Sequence, residues 1–244
     1  MLELLAAARA ARDTLRTPSL GARVSQLIEQ LILDGRIGPG VRIIEENLAG
    51  SLGISRTSLR EAMIGLEQAG LLSRDERGGR FIRTMTGADL RDLYEGWAIL
   101  ESEAAALACG EATDTDHRDI GALLAEMDRP MELAAYHRLN LTFHRALVRP
   151  CRNRWLLETY DGCVKQIRWA WALAISQAGE PRVSQKEHKS IFAVYCRRDA
   201  ERTRALVRRH LARGAQRTTE AAETTANGAA NAQSGRHRPA KTSG

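Results

Sequence analysis

The sequence predicts a mainly α-helical protein in two parts: three helices and a β-hairpin, then an all-α bundle of about six helices. Three observations predict this. Apolar residues recur at three- and four-residue spacing along most of the chain, which is the mark of amphipathic helices. Short β-prone pieces fall only between residues 41 and 84. The length, 244 residues, exceeds the usual single-domain size, so two domains are expected.

The first helix is read from Leu20, Val24, Leu27, Ile28, Leu31 and Ile32, which share one face between Ser19 and Leu33. Asp34-Gly35 stops it, Gly38-Pro39-Gly40 forces a turn, and Val41, Ile43 and Ile44 make a short extended piece. A second helix spans Glu45 to Leu52 and breaks at Gly53. Ser55 suits the cap of a third, Arg56 to Ala69, with Leu59, Met63, Leu66 and Ala69 inward. Two β-prone pieces, Leu71 to Arg74 and Arg80 to Thr84, flank a Gly-Gly tip and read as a hairpin. Helix, tight turn, helix and hairpin in this order form a winged helix-turn-helix. From Thr86 to about Gly214, helical blocks are expected at 87–109, 115–127, 131–149, 152–178, 182–197 and 199–213.

Four segments follow: a flexible arm at 1–17, the winged helix-turn-helix at 18–85, the helical domain at 86–214, and a disordered tail at 215–244. The tail has almost no large apolar residue with which to offset its ordering entropy. No run reaches the roughly 18 to 20 apolar residues of a membrane span, so a cytoplasmic protein without a membrane partner is expected. The four cysteines form no C-x-x-C pair, which argues against a zinc ribbon or a thioredoxin-like redox site.

Net charge is +6, which by itself invites a nucleic-acid reading. Its distribution does not support that inference. Residues 19–85 hold nine arginines against eight acids, and most of the excess lies beyond residue 195. Placement carries the argument instead. Ser55, Arg56, Thr57, Ser58 and Arg60 occupy the first turns of the third helix, where amides and hydroxyls suit phosphates and arginine forks onto guanine. Arg77, Gly78, Gly79 and Arg80 form the hairpin tip, placed to reach the backbone or a minor groove. A double-stranded DNA operator is the expected partner.

The pattern Gly35, Pro39-Gly40, Glu45, Leu48-Ala49, Leu52-Gly53, Ser55-Arg56-Thr57, Arg60-Glu61-Ala62, Leu66 and Gly70-Leu71 resembles GntR transcription regulators. It is most similar to the FadR-like subfamily with an FCD-type effector domain, through residue 211. The resemblance implies that Ser55, Arg56, Thr57 and Arg60 contact DNA, with residues 77–80 at the wing. Some relatives carry an arginine where this chain has Glu46, so that phosphate contact is either absent here or replaced by Arg42.

In the helical part, Asn140 and His144 share a helix face, four residues apart. His188 and His210 lie eleven residues either side of Asp199, so an antiparallel hairpin about that point pairs them at equal depth. Four ligands from three helices can converge on a divalent metal this way. By spacing alone, core histidines remain the commoner reading. The resemblance favours metal (zinc, nickel or manganese), because FCD-type domains carry an acidic or amide residue before this histidine and two later histidines. Asn140 in place of the more usual Asp removes a negative charge, which weakens divalent binding.

An open coordination position admits a ligand carboxylate. The expected effector is therefore a small organic acid, and the expected protein a homodimeric repressor. Where the family often supplies an arginine on the first bundle helix, this chain has Trp97. Either Arg138, Lys165 or Arg168 then supplies the anion clamp, beside Trp97 as an effector contact, or the ligand is less acidic and more aromatic. Trp169 and Trp171 fit the core better than the pocket. The alternative is a metal-dependent hydrolase or lyase in the helical domain, for which no general base stands out.

Overall fold

A computed structural model describes residues 18–174 and 181–235. The chain divides into two compact units, Met1–Thr84 and Met85–Gly244.

In the first unit, α1 (Leu20–Leu33) starts at Ser19, whose hydroxyl accepts from the Ala22 amide at 3.0 Å. Val24, Ile28 and Ile32 face inward, whereas Leu20 and Leu27 of the expected stripe are exposed. After β1 (Arg42–Ile43), α2 (Glu45–Leu52) ends on Gly53, whose φ of 64° is the left-handed conformation that glycine adopts without Cβ strain. The break allows α3 (Arg56–Gln68) to start afresh at Ser55, whose side chain accepts from the Ser58 amide at 3.1 Å. Leu59, Met63 and Leu66 are fully buried with Ile28, Ile32, Leu71 and Ile82. The hairpin pairs β2 (Leu72–Arg74) with β3 (Arg80–Ile82), in register Leu72↔Ile82, Ser73↔Phe81 and Arg74↔Arg80. Strand β1 adds to the other edge of β3, an order of β1-β3-β2.

The second unit is helical throughout its described residues. Helices α4 (Gly87–Glu111) and α5 (Asp114–Met127) each open with a capping box, Thr86 with Asp89 and Thr113 with Asp116. Then come α6 (Leu133–Val148), a 3₁₀ turn at Arg149–Cys151, α7 (Arg154–Ala174), α8 (Pro181–Tyr195) and α9 (Ala200–Gly235). Helix α4 is the spine: it packs lengthwise on α9 and also meets α6, α7 and the 3₁₀ turn. Its inner face joins Phe143, Tyr160, Ile167, Tyr195 and Val207 in one core around Tyr94 and Trp97. The turn between α8 and α9 closes on Asp199, which accepts from the Arg202 amide at 3.0 Å.

Two differences from expectation stand out. The last helix does not stop near residue 213 but continues to Gly235, so residues 215–235 are helical rather than disordered. Packing on α4 continues past residue 213: Thr218 and Thr219 are buried, and Thr218 shares a 2.8 Å hydrogen bond with the Tyr94 hydroxyl of α4. They pack without needing large apolar groups. The expected arm at 1–17 and the end of the tail, 236–244, lie outside the described residues. The four cysteines are free thiols. Among the described residues no helix is long and apolar enough to cross a membrane.

Candidate functional site

The first unit exposes the start of α3. Leu59, Ala62, Met63 and Leu66 face inward, so Ser55, Arg56, Thr57 and Arg60 are left on the outer surface, with Ser58 half-buried. Ser55 and Ser58 hydroxyls lie 2.9 Å apart. Among the described residues Arg60 has no ion-pair or hydrogen-bond partner, whereas Arg56 pairs with Glu46 of α2. Arg42 on β1 stacks over the Phe81 ring, 5.9 Å from its centroid. Helix α1 can lie close to α3 because Gly21 has no Cβ, which would otherwise stand 2.6 Å from Glu61 Oε2.

The hairpin tip is built by Asp75. Its Oδ1 accepts from the amides of Arg77 (3.0 Å) and Gly79 (2.6 Å), while Gly78 adopts φ 78°. The Arg77 side chain is left exposed and without a partner among the described residues. Arg80 is a correction to the expected wing contacts. Strand alternation puts it on the same face as buried Ile82, and it is only 8% exposed. Its guanidinium is taken up by Glu45 of α2 and, at 2.8 Å, by Glu67 of α3. Arg80 therefore fastens the wing to the helices instead of reaching out. Glu67 also receives a bidentate pair from Arg74, at 2.7 and 2.9 Å, and this holds its carboxyl below the usual carboxylate range.

In the second unit, α6, α8 and α9 bring His144, His188 and His210 together, with one ring nitrogen of each within 4.8 Å of the others. The Nε2 atoms of His188 and His210 are 3.1 Å apart. All three rings are buried, and each has its Nδ1 side occupied. His144 Nδ1 meets Glu101 Oε1 at 2.5 Å, His210 Nδ1 meets Glu187 Oε2 at 2.6 Å, and His188 Nδ1 lies 3.4 Å from Gln185 Oε1. Partners on Nδ1 fix the tautomer that leaves Nε2 as a bare lone pair, which is how metal-binding histidines are held. Asn140 sits one turn before His144, and its Oδ1 is buried with no hydrogen-bond partner. A buried carbonyl oxygen without a donor costs stability unless something else satisfies it. Three converging imidazole nitrogens fit a divalent cation, and Asn140 Oδ1, one turn before His144 on the same helix, is an unsatisfied oxygen.

Electrostatics agree with that donor set. Burial pushes His188 well below its usual 6.5, with positive charge from His210 and His144 adding to the effect, and burial also lowers His210. Neutral imidazoles are the form that ligates. Burial would raise the Glu187 carboxyl, but hydrogen bonds from His210 and Arg213 outweigh it and bring the group to about 2. Tyr160 donates its hydroxyl to Glu101 Oε2 at 3.0 Å, so both oxygens of this buried carboxylate are engaged.

Around the cluster, Trp97 packs edge-on against His144 with ring centroids 5.1 Å apart. Trp171 donates its indole N–H to the Tyr94 hydroxyl at 2.7 Å. Arg138, Lys165 and Arg168 are all exposed, so the expected anion clamp is not assembled from them in the buried cluster. Cations that do approach are Arg213, 2.6 Å from Glu187, and Arg217, 3.9 Å from it. Sequence reasoning passed over Glu101, Gln185 and Glu187. Glu101 was detectable, since it shares a helix face with Tyr94 and Trp97, and a buried carboxylate demands a partner.

Comparison with known proteins decides the family. Residues 20–82 match "Bacterial regulatory proteins, gntR family", and residues 92–213 match "FCD domain". The chain is 36% identical over 176 residues to the Nta operon transcriptional regulator of Aminobacter aminovorans, covering 71% of this chain and 82% of the relative. The chain belongs to the GntR family of transcription regulators. A second GntR-type relative, the HTH-type transcriptional regulator YdhC of Bacillus subtilis, is 30% identical over 187 residues, 75% of this chain and 84% of its own length. Among solved structures, E. coli McbR/YncC shares the fold with a TM-score of 0.68 at 21% identity, covering 84% of this chain and 99% of that one. The protein is therefore a DNA-binding regulator and not an enzyme, which sets aside the hydrolase or lyase alternative.

Proposed function

We propose that this GntR regulator is a homodimeric, cytoplasmic repressor whose 86–214 region senses a small organic acid through a divalent metal, while its 18–85 region holds a pseudo-palindromic operator. The observation that carries the metal reading is the convergence of three buried imidazoles whose outer nitrogens are held by Glu101, Gln185 and Glu187. His144, His188 and His210 would hold the ion, with Asn140 as the oxygen donor. When bound, it supplies a positive charge with room for a carboxylate. Zinc, nickel and manganese all suit an imidazole and amide donor set, and the neutral Asn140 lowers affinity for each. Trp97 forms one wall beside His144. Arg217, 27% exposed, is better placed to meet an acid's second anionic group than the surface cations Arg138, Lys165 and Arg168.

On DNA, the first turns of α3 would enter the major groove, with Arg60 and Arg56 at base edges or phosphates, Ser55, Thr57 and Ser58 beside them, and Arg42, Arg77, Gly78 and Gly79 at the flanking backbone. Acid binding biases the operator-competent form, and DNA must change acid affinity by the same factor. Two measurements test the reading. Metal analysis of protein purified without a histidine tag is expected to return close to one divalent ion per chain. Operator mobility shifts of the metal-loaded protein, titrated with citrate, malate and gluconate, are expected to weaken with at least one acid. A chain that stays metal-free in excess zinc, nickel and manganese refutes the sensor reading and leaves DNA binding standing.

A further inference from the structure

We infer that a half-open groove between α8 and the α5–α6 connection binds an organic phosphate with an apolar body, at a site separate from the histidine cluster. The groove encloses about 880 Å³ and is floored by Met127, Met131, Leu133 and Tyr136. Arg129, Arg182, Lys186 and Lys189 line its wall, against a single acid, Asp128. Lys189 is neutralised by Asp128 at 2.7 Å. The other three cations have no ion-pair or hydrogen-bond partner for their side chains among the described residues.

Between residues 86 and 195 acidic residues outnumber basic ones, yet around this one concavity the balance is reversed. Arg182, Lys186 and Lys189 follow one another at helical spacings of four and three, so like charges face each other along one side of α8. Arg182 and Lys186 also occupy the first turns of α8, where the helix dipole disfavours cations, and the first turn of α8 itself holds no acidic residue. Each of these arrangements costs stability in the empty groove, and each is relieved by the same thing, a bound anion. The amide end of the helix adds to the attraction, and the arginine forks suit a tetrahedral phosphate.

The floor selects for more than charge. Met131 and Leu133 are half-buried and Pro130 is exposed, so they offer apolar surface above the buried Met127 and Tyr136, and methionine side chains conform to flat or irregular apolar surfaces. An inorganic ion would leave that floor wet. Gln185 gives the groove a connection to the interior. Its amide nitrogen donates to the Leu124 carbonyl at 2.8 Å and to Asp128 Oδ1 at 3.2 Å, while its oxygen faces His188 Nδ1.

Isothermal titration of the full chain with 2-naphthyl phosphate, in EDTA so that metal contributes nothing, tests the site. One saturable site per chain is expected, with affinity falling at least tenfold in R182A/K186A, two exposed helical positions where alanine preserves the helix. Inorganic phosphate and 2-naphthol are each expected to bind at least tenfold more weakly than the combined molecule. No saturable binding, or an unchanged affinity in R182A/K186A, overturns the site. Equal binding of inorganic phosphate or of 2-naphthol overturns the ligand class. None of these outcomes depends on the histidine cluster, so the groove and the metal reading fail or stand independently.

Discussion

Arg80 offers the sharpest test of how the wing is built. Replacing it with alanine removes a side chain 9% exposed from between Glu45 and Glu67, which are themselves 30% and 21% exposed. Breaking a fully buried pair by deleting one partner costs about 3–5 kcal/mol, and exposed pairs cost under about 1 kcal/mol. With the cation buried and both acids partly wet, the expected loss is about 2 kcal/mol. For a unit of this size that lowers the thermal midpoint by about 8–16 °C. The assay can isolate the unit, because all four tryptophans, Trp97, Trp155, Trp169 and Trp171, lie in the second. R80A should therefore shift a transition seen by circular dichroism while leaving the tryptophan-fluorescence transition in place. R80K, which keeps the charge but not the fork, should fall between. Below the melting transition, operator affinity and its salt dependence should remain close to wild type. A variant with unaltered melting that instead loses operator binding, with a salt slope reduced by about one contact, would show that Arg80 meets phosphate and refute the packing argument.

Arg60→Ala, by contrast, should leave both transitions in place and weaken the operator complex by about 1–3 kcal/mol, read in mobility shifts at matched salt; unchanged affinity removes α3 as the reading helix. Glu101→Gln keeps the shape at His144 Nδ1 but not the carboxylate, so zinc affinity is expected to drop about 10–100-fold by competition with a chromogenic chelator. Stripping a bound metal should lower the tryptophan-detected midpoint, since an ion at 100 times its dissociation constant stabilises by about 2.7 kcal/mol. Metal-free protein should also lose stability on acidification. The depressed His188 and His210 stay neutral when folded but take protons when unfolded, so their contribution is present above 6.5 and lost below it. Glu187, held at about 2, adds a second loss as pH falls from its usual 4.5. Melting in EDTA between pH 7.5 and 2.5 measures both, and a flat profile contradicts the assigned burial.

Much of the fold could be read from local pattern. The cap at Ser55, the glycines at 53 and 78, and the inward row Leu59, Met63 and Leu66 are properties of a few neighbouring residues, and the structure places them on the expected helix, turn and hairpin. The equal spacing of His188 and His210 about Asp199 is also local arithmetic, needing only that two helices reverse there. Arg80 was misread because its glycine-flanked position looked like a tip, although its two-residue offset from Ile82 already carried the opposite signal. The helix beyond residue 214 was not legible because composition weighs large apolar groups, while Thr218 and Thr219 are buried by small size against α4.

By itself, the sequence determined the elements, their order and which arginines stand at the start of α3, since propensity, capping and periodicity act within a turn or two of chain. Only the tertiary structure decided which charged groups are spoken for. Glu101 reaches His144 across 43 residues, Arg80 reaches Glu45 across 35, and Glu187 reaches His210 across 23. Such pairings depend on how helices cross and on what burial then forbids to stay unpaired, and no window along the chain records that. The opposite case is Arg60 and Arg77, which have no such partner among the described residues and so remain available to DNA.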